Sequence, residues 1–364
     1  MIVEHGYRER TAQPAVGRLR WVIIGAVVLL AVAIGVVLGG VLVDGTRTAT
    51  LTRSSEYVPA SAVMYAEARL DLPGTQRANL RALLERFPAA DPDAILGEAL
   101  ATTLDDALAD ADAPFDYSHD VAPWFDGTAG VAILDYPLNV DPSEVQLPSA
   151  VGLFGVRDPE AALGLAEDLR AEIEAEGATF TSSEHAGVTI WTLDLEQTET
   201  PMPVEGEGFA YAVADDQLLL SNGDAAIRAA LDAEAGESLA EAEGVADLLD
   251  ALPDERAGTF VVSTAAMMAG MRAELEAAQP GLADALAGYL DAVPPVMVGS
   301  VSFAPDAFLA DSATALPANE SLQPVNSERG LAARVPADAI FFADGSKWGP
   351  YLEQAILTLK ATLA

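Results

Sequence analysis

The chain has no cysteine, only two lysines and only three histidines among its 364 residues. The missing cysteine excludes a disulfide framework, a thiolate zinc site, a cysteine nucleophile and a lipidated cysteine. The lysines, Lys347 and Lys360, belong to a basic set of 19 against 56 acidic residues, for a net charge of -37. A surface of that sign repels phosphate backbones and anionic lipid, so nucleic acid is excluded as a partner. Its ordinary physical effect is solvation and self-repulsion. Two of the histidines, His119 and His185, stand far apart in the larger part of the chain. No HExxH, GxSxG, Walker or GxGxxG pattern occurs, so no catalytic residue and no cofactor is nominated.

What the chain does have is a hydrophobic run. Residues 21–43, "WVIIGAVVLLAVAIGVVLGGVLV", carry no charge. As a helix they would extend roughly 34 Å, enough to cross a hydrocarbon core of about 30 Å. The run exceeds the short apolar core of a cleaved signal peptide. Arg8, Arg10, Arg18 and Arg20 precede it and Asp44 follows. The positive-inside rule then predicts a cytoplasmic tail at 1–20, a transmembrane helix at 21–43 and everything later outside the cell membrane. The expected lipid-bilayer contact is this run. Ala31, Gly35 and Gly39 form a small-residue stripe that could pair two such helices in a homodimer.

After a polar stalk at 44–57, periodicity predicts an exported α+β domain over 58–316, of mainly antiparallel sheet with flanking helices. "SAVMYAEARLDL" reads as a buried strand. "PGTQRANLRALLERFP" reads as a helix with Leu80, Leu83, Leu84 and Phe87 on one face. A second helix is expected from Pro92 to Ala109, then a strand, "TAGVAILDY". The middle predicts a strand at "SAVGLFGVRD", a helix closed by Gly177, four successive antiparallel strands, and a helix with Asp224 as N-cap. "SLAEAEGVADLLDALP" reads as one short helix. "AGTFVVST", two helical stretches and a strand pair then echo the strand, two helices, strand order of 61–136.

A linker is expected at 317–334. Beyond it, Val335–Asp344, "VPADAIFFAD", matches Val58–Glu67, "VPASAVMYAE", at five of ten positions. An amphipathic pattern follows both: Leu352, Ile356, Leu359 and Leu363 here, Leu80 to Phe87 there. The expectation is that 335–364 are the truncated start of a second copy. The alternative is that this strand and helix complete the first domain.

The stretches at 58–88, "DVAPWFDGTAGVAIL" and "AVADDQLLLSNGDAAIRAAL" with "GESLAEAEGVADLL" together resemble the bacterial DUF3352 family. The resemblance implies one N-terminal membrane helix and a large exported region. The family carries no assigned reaction, so no chemistry comes with it.

Three features invite a chemical reading. Clustered carboxylates suit hard cations, and "DDALADADAPFDYSHD" offers Asp110, Asp112, Asp116 and Asp120 as metal candidates. The spacing fails the calcium-loop pattern, because Pro114 follows and no glycine takes the sixth place. Trp124 and Phe125 in "PWFDG" could stack on a sugar or peptide but are expected to cap a core. Met267, Met268 and Met271 could line a groove, though their helical spacing is that of core. The expected function is non-catalytic binding or scaffolding in the cell envelope. The alternatives are an exported hydrolase using carboxylates and a cation-binding envelope protein.

Overall fold

A computed structural model of the chain describes residues 51–315, except 52, 71, 89–91, 93–95, 97, 111–112, 136–147, 176, 195–207, 243 and 279–292. The expected membrane run with Ala31, Gly35 and Gly39, the helical stretch at 281–293 apart from its last residue, and the repeat at 335–364 lie outside the described residues. Among the described residues no helix is long and apolar enough to cross a membrane.

Among the described residues ten strands form one antiparallel sheet. In chain order they are β1 (Met64–Arg69), β2 (Phe125–Ile133), β3 (Ala150–Val156), β4 (Thr179–His185), β5 (Val188–Asp194), β6 (Ala210–Val213), β7 (Gln217–Ser221), β8 (Gly258–Val262), β9 (Met297–Ala304) and β10 (Ala307–Thr314). Their order across the sheet is β10-β9-β8-β1-β2-β3-β7-β6-β5-β4. Among the described residues each predicted strand is present, and the four middle ones form the expected antiparallel run; the strand expected at 335–344 lies outside them.

The predicted echo is realised as topology. β1 pairs β2 and β2 pairs β3, while β8 pairs β9 and β9 pairs β10. The triplets meet where β1 runs antiparallel to β8, Met64 opposite Val262 and Ala68 opposite Gly258. An approximate two-fold through that seam relates β1-β2-β3 to β8-β9-β10.

Both faces of the sheet are covered, because successive strand residues point to opposite sides and both sets are apolar. On one face Tyr65, Val151, Leu153, Ile190, Leu219, Val261 and Val298 are buried. The helices α4 (Asp224–Glu234) and α5 (Val245–Leu249) pack there through Ile227, Ala230, Leu231, Val245 and Leu249. On the other face lie α1 (Gln76–Leu84), α2 (Glu98–Asp110) and α3 (Pro159–Ala175). α1 sets Leu80 against Phe303, and α3 sets Ala162 and Ile173 against Phe154 and Tyr211. The last helix among the described residues, α6 (Thr264–Ala278), keeps Met267, Met268 and Met271 only half-buried rather than in the core.

Four local expectations change. Residues 53–57, read as the end of a stalk, form a 3₁₀ turn whose Ser54, Ser55 and Tyr57 are buried. α1 stops at Leu84, so Phe87 falls past its end and is 57% exposed. Gly223, not Asp224, is the N-cap of α4; Asp224 is its first residue and accepts from Arg228 Nε at 3.0 Å. The run after Ser238 splits at Gly244 into a 3₁₀ turn, Leu239–Glu241, and α5.

The tight turn between β4 and β5 holds two residues, Ala186 and Gly187, with φ of 49° and 81°. Such a turn matches strand twist only with positive φ at both positions, which glycine adopts freely and alanine does not. Ala186→Asn is therefore expected to raise stability by about 0.5–1 kcal/mol, read as a higher urea midpoint at unchanged slope. A lower midpoint would show that the turn is not strained.

Alkali tests the packing of the buried phenols. Burial first, then Asp216, raises the Tyr57 phenol above the ordinary tyrosine value, and burial pushes Tyr211 up to about 12 against the pull of Arg170. A folded pKa above the unfolded one gives stability that is present below the unfolded value of about 10 and fades above it. The urea midpoint should fall as pH rises from 10 towards 12, and less steeply in Tyr211→Phe. A flat profile over that window contradicts the burial.

Candidate functional site

At the seam, one row of directly opposed residues is polar although buried. β1 supplies Glu67, β2 Gly130, β8 Thr259 and β9 Ser300. Glu67 and Thr259 are each 2% exposed and Ser300 is fully buried. The Tyr65 hydroxyl, two residues along on the same face, donates to Glu67 Oε2 at 2.7 Å. The tyrosine ring lies over the backbone of Gly130, where a Cβ would meet it at 3.0 Å. That close approach is why the position takes no side chain.

Arg256, 4% exposed just ahead of β8, completes the cluster. Its Nη1 donates to the carbonyls of Leu249 at 3.3 Å and Pro253 at 3.2 Å, tying the end of α5 to the seam. Burial lowers the Arg256 pKa, and the carboxylates of Glu67, Asp254 and Asp250 oppose that shift by stabilising the cation. The Arg256 Nε and the Ser300 hydroxyl have no hydrogen-bond partner among the described residues. A carboxylate so enclosed serves the contact between the strands. Sequence reading passed over Glu67 as an ordinary acid. The available signal was an acid flanked by alanines in a strand with apolar residues on both faces.

The nominated acidic run is a structural turn. Asp116 caps a π-helical turn, Tyr117–Val121, and its Oδ1 accepts from the His119 backbone N–H at 2.7 Å. The same oxygen lies 3.0 Å from His119 Nδ1. The His119 backbone bond first, then its side chain, draws the Asp116 pKa below the ordinary carboxylate value. Asp120 Oδ2 accepts from the Asp116 backbone N–H at 2.8 Å, and its carbonyl accepts from Trp124 Nε1 at 2.7 Å. Asp110 is exposed at the end of α2, and Asp112 lies outside the described residues. Among the described residues no group of three or more acids or histidines could hold a metal ion. Trp124 and Phe125 are 3% and 5% exposed and pack with Phe154 and Ala162, as expected of a core cap.

The most enzyme-like contact joins β4 to α4. His185 Nε2 lies 2.6 Å from Asp232 Oδ1, and Ser183 stands two residues away on the same strand face. A serine nucleophile needs the free imidazole nitrogen as its base. Here Arg228 occupies that nitrogen, with Nη1 3.4 Å from His185 Nδ1, and its Nη2 donates to Ser183 Oγ at 2.7 Å. The contacts fix His185 as the Nε2–H tautomer and form a clasp between sheet edge and helix.

Fold and sites together define an α+β domain built on one antiparallel sheet with a buried ionic seam. The chain matches the family described as protein of unknown function (DUF3352) over residues 22–362, and it belongs to that family. No curated protein and no solved structure matches it.

Glu67 and Arg256 are enclosed charges of opposite sign whose attraction offsets part of the cost of burial, and removing one charge of a buried couple costs about 3–5 kcal/mol. Glu67→Leu should destabilise the domain on that scale in urea unfolding, and a joint Glu67→Leu/Arg256→Met change should recover much of the loss. A double variant as unstable as the sum of the two singles would mean that the groups are not coupled.

Proposed function

We propose that this chain is a single-pass cell-membrane protein. Residues 21–43 span the bilayer, residues 1–20 stay in the cytoplasm, and the acidic domain stands outside as a non-catalytic binding or scaffolding module of the envelope. The observation that carries this reading is the way the expected anchor meets the fold. Nine residues separate Val43 from the turn at 53–57, which is clamped to the β6–β7 turn. Arg53 Nη1 reaches Asp216 Oδ2 at 2.8 Å, the Tyr57 hydroxyl donates to Asp216 Oδ1 at 2.9 Å, and Ser54 Oγ donates to Gln217 Oε1 at 3.0 Å. Nine residues span at most about 30 Å, so the sheet is held close to the membrane by that end. Force on the anchor passes into β6 and β7 and the sheet beyond them. The use of Asp116, Asp120 and the His185 clasp in local structure favours display over catalysis.

Topology is the direct test, and a chain without cysteine makes it clean. Single variants His5→Cys and Ser182→Cys, expressed in cells, are exposed to a membrane-impermeant maleimide. Ser182→Cys should be labelled in intact cells and His5→Cys only after lysis. The opposite pattern, or recovery of the chain in the soluble fraction, rejects the reading.

A further inference from the structure

The two borders of the sheet differ in kind. β4 ends one side with Thr181, Ser182 and Glu184 exposed, polar residues that discourage pairing. β10 ends the other side with eight residues in unbroken register on β9, nearly all exposed. Phe308 is 49% and Leu309 42% exposed, on opposite faces. A long exposed edge with apolar side chains is a template for another strand.

The approximate two-fold shows what that edge is built to receive. The counterpart of β10 is β3, which is buried along its length because β7 pairs with its outer side from Val151–Ser221 to Gly155–Gln217. β10 has the same place in its triplet and, among the described residues, no strand beyond it.

A strand of suitable character follows in the same chain. Val335–Asp344 copies Val58–Glu67, and the structure shows what the copied pattern does: Val58, Ala62, Tyr65 and Glu67 are all 2% exposed or less. A stretch patterned for burial calls for a sheet to enter, and β10 ends only 24 residues before Asp338. Charge permits it. Residues 335–364 hold three acids and both lysines of the chain, so they are nearly neutral against a total of -37. The neighbourhood also offers an apolar seat. Phe308 stacks edge-on against Phe303, and Arg86 at the end of α1 lies 3.9 Å from Asp306 in the β9–β10 turn, with exposed Phe87 beside it.

We propose that residues 338–344 pair with β10 as an eleventh strand of the sheet and that the apolar face of Leu352, Ile356, Leu359 and Leu363 lies over Phe308 beside α1.

The test uses the full chain in its native membrane. Ser312→Cys is combined in turn with Ile340→Cys, Phe341→Cys, Phe342→Cys and Ala343→Cys, and each pair is oxidised mildly. A paired strand gives an intramolecular disulfide that alternates with a period of two. Disulfides that form only between chains assign the edge to a second copy and overturn the proposal, as does a scan with none. A second readout is amide exchange in the unmodified chain. The amides of 307–314 should exchange at least about tenfold more slowly than in Ile340→Asp/Phe342→Asp, while those of β4 stay unchanged as a control for folding. Equal exchange of β10 in the two chains overturns the proposal.

Discussion

The fold depends on the pairing of β1 with β8. These strands are about 190 residues apart in the chain, and their contact joins the two triplets into one sheet. It is also where the interior is most polar. Glu67, Tyr65 and Arg256 are enclosed there with Thr259 and Ser300. Enclosed charge is a poor source of net stability, since desolvation consumes much of the attraction. It does penalise error. A one-residue slip of β1 would turn Glu67 to the other face, where Ala66, Ala68, Val131 and Phe260 form an apolar cluster. The carboxylate would then lose the Tyr65 hydroxyl bond and the cation of Arg256. The ionic cluster thus specifies register at the junction that closes the longest stretch of chain.

Hairpins define much of the remainder. β4 to β5, β6 to β7 and β9 to β10 are joined by short turns, so each pairing follows from local chain geometry. The seam and the β3–β7 pairing instead close long loops, whose entropy the two-sided core must offset. Both faces of the central strands are apolar for that reason, and helices cover each side. The arrangement explains a composition that is strongly acidic yet 51% hydrophobic: the sheet consumes apolar residues on two faces while the outer surfaces of the helices carry the charge.

Local pattern made the elements readable and distance hid the rest. Every described strand could be read from alternation or a short apolar run, and α1, α2, α3 and α4 from apolar residues three and four apart. The order of strands could not, because nothing near Met64 in sequence indicates Val262. The turn at 53–57 illustrates the same limit. "RSSEY" reads as stalk because its polar groups find partners only at Asp216 and Gln217, some 160 residues on. Glu67 drew no reading of its own for a related reason, since the groups that enclose it, Arg256 among them, lie far along the chain. The acidic run shows the opposite relation between sequence and space. Its carboxylates are close in sequence, and that closeness lets Asp116 and Asp120 satisfy the backbone of their own turn instead of converging on an ion.

Charge also bears on which pairings the molecule can make with itself. Two copies of a chain at -37 repel over the range of the screening length, about 8 Å at physiological salt. β4 adds polar side chains to that protection. β10 carries one acid, Asp311, among small and apolar residues, so its protection rests on the field of the whole domain. That field discriminates by net charge rather than by shape. It opposes an acidic neighbour much more than a nearly neutral segment, and a segment tethered to the same domain also benefits from a high effective concentration. An apolar edge in an acidic protein is therefore biased towards pairing within the chain.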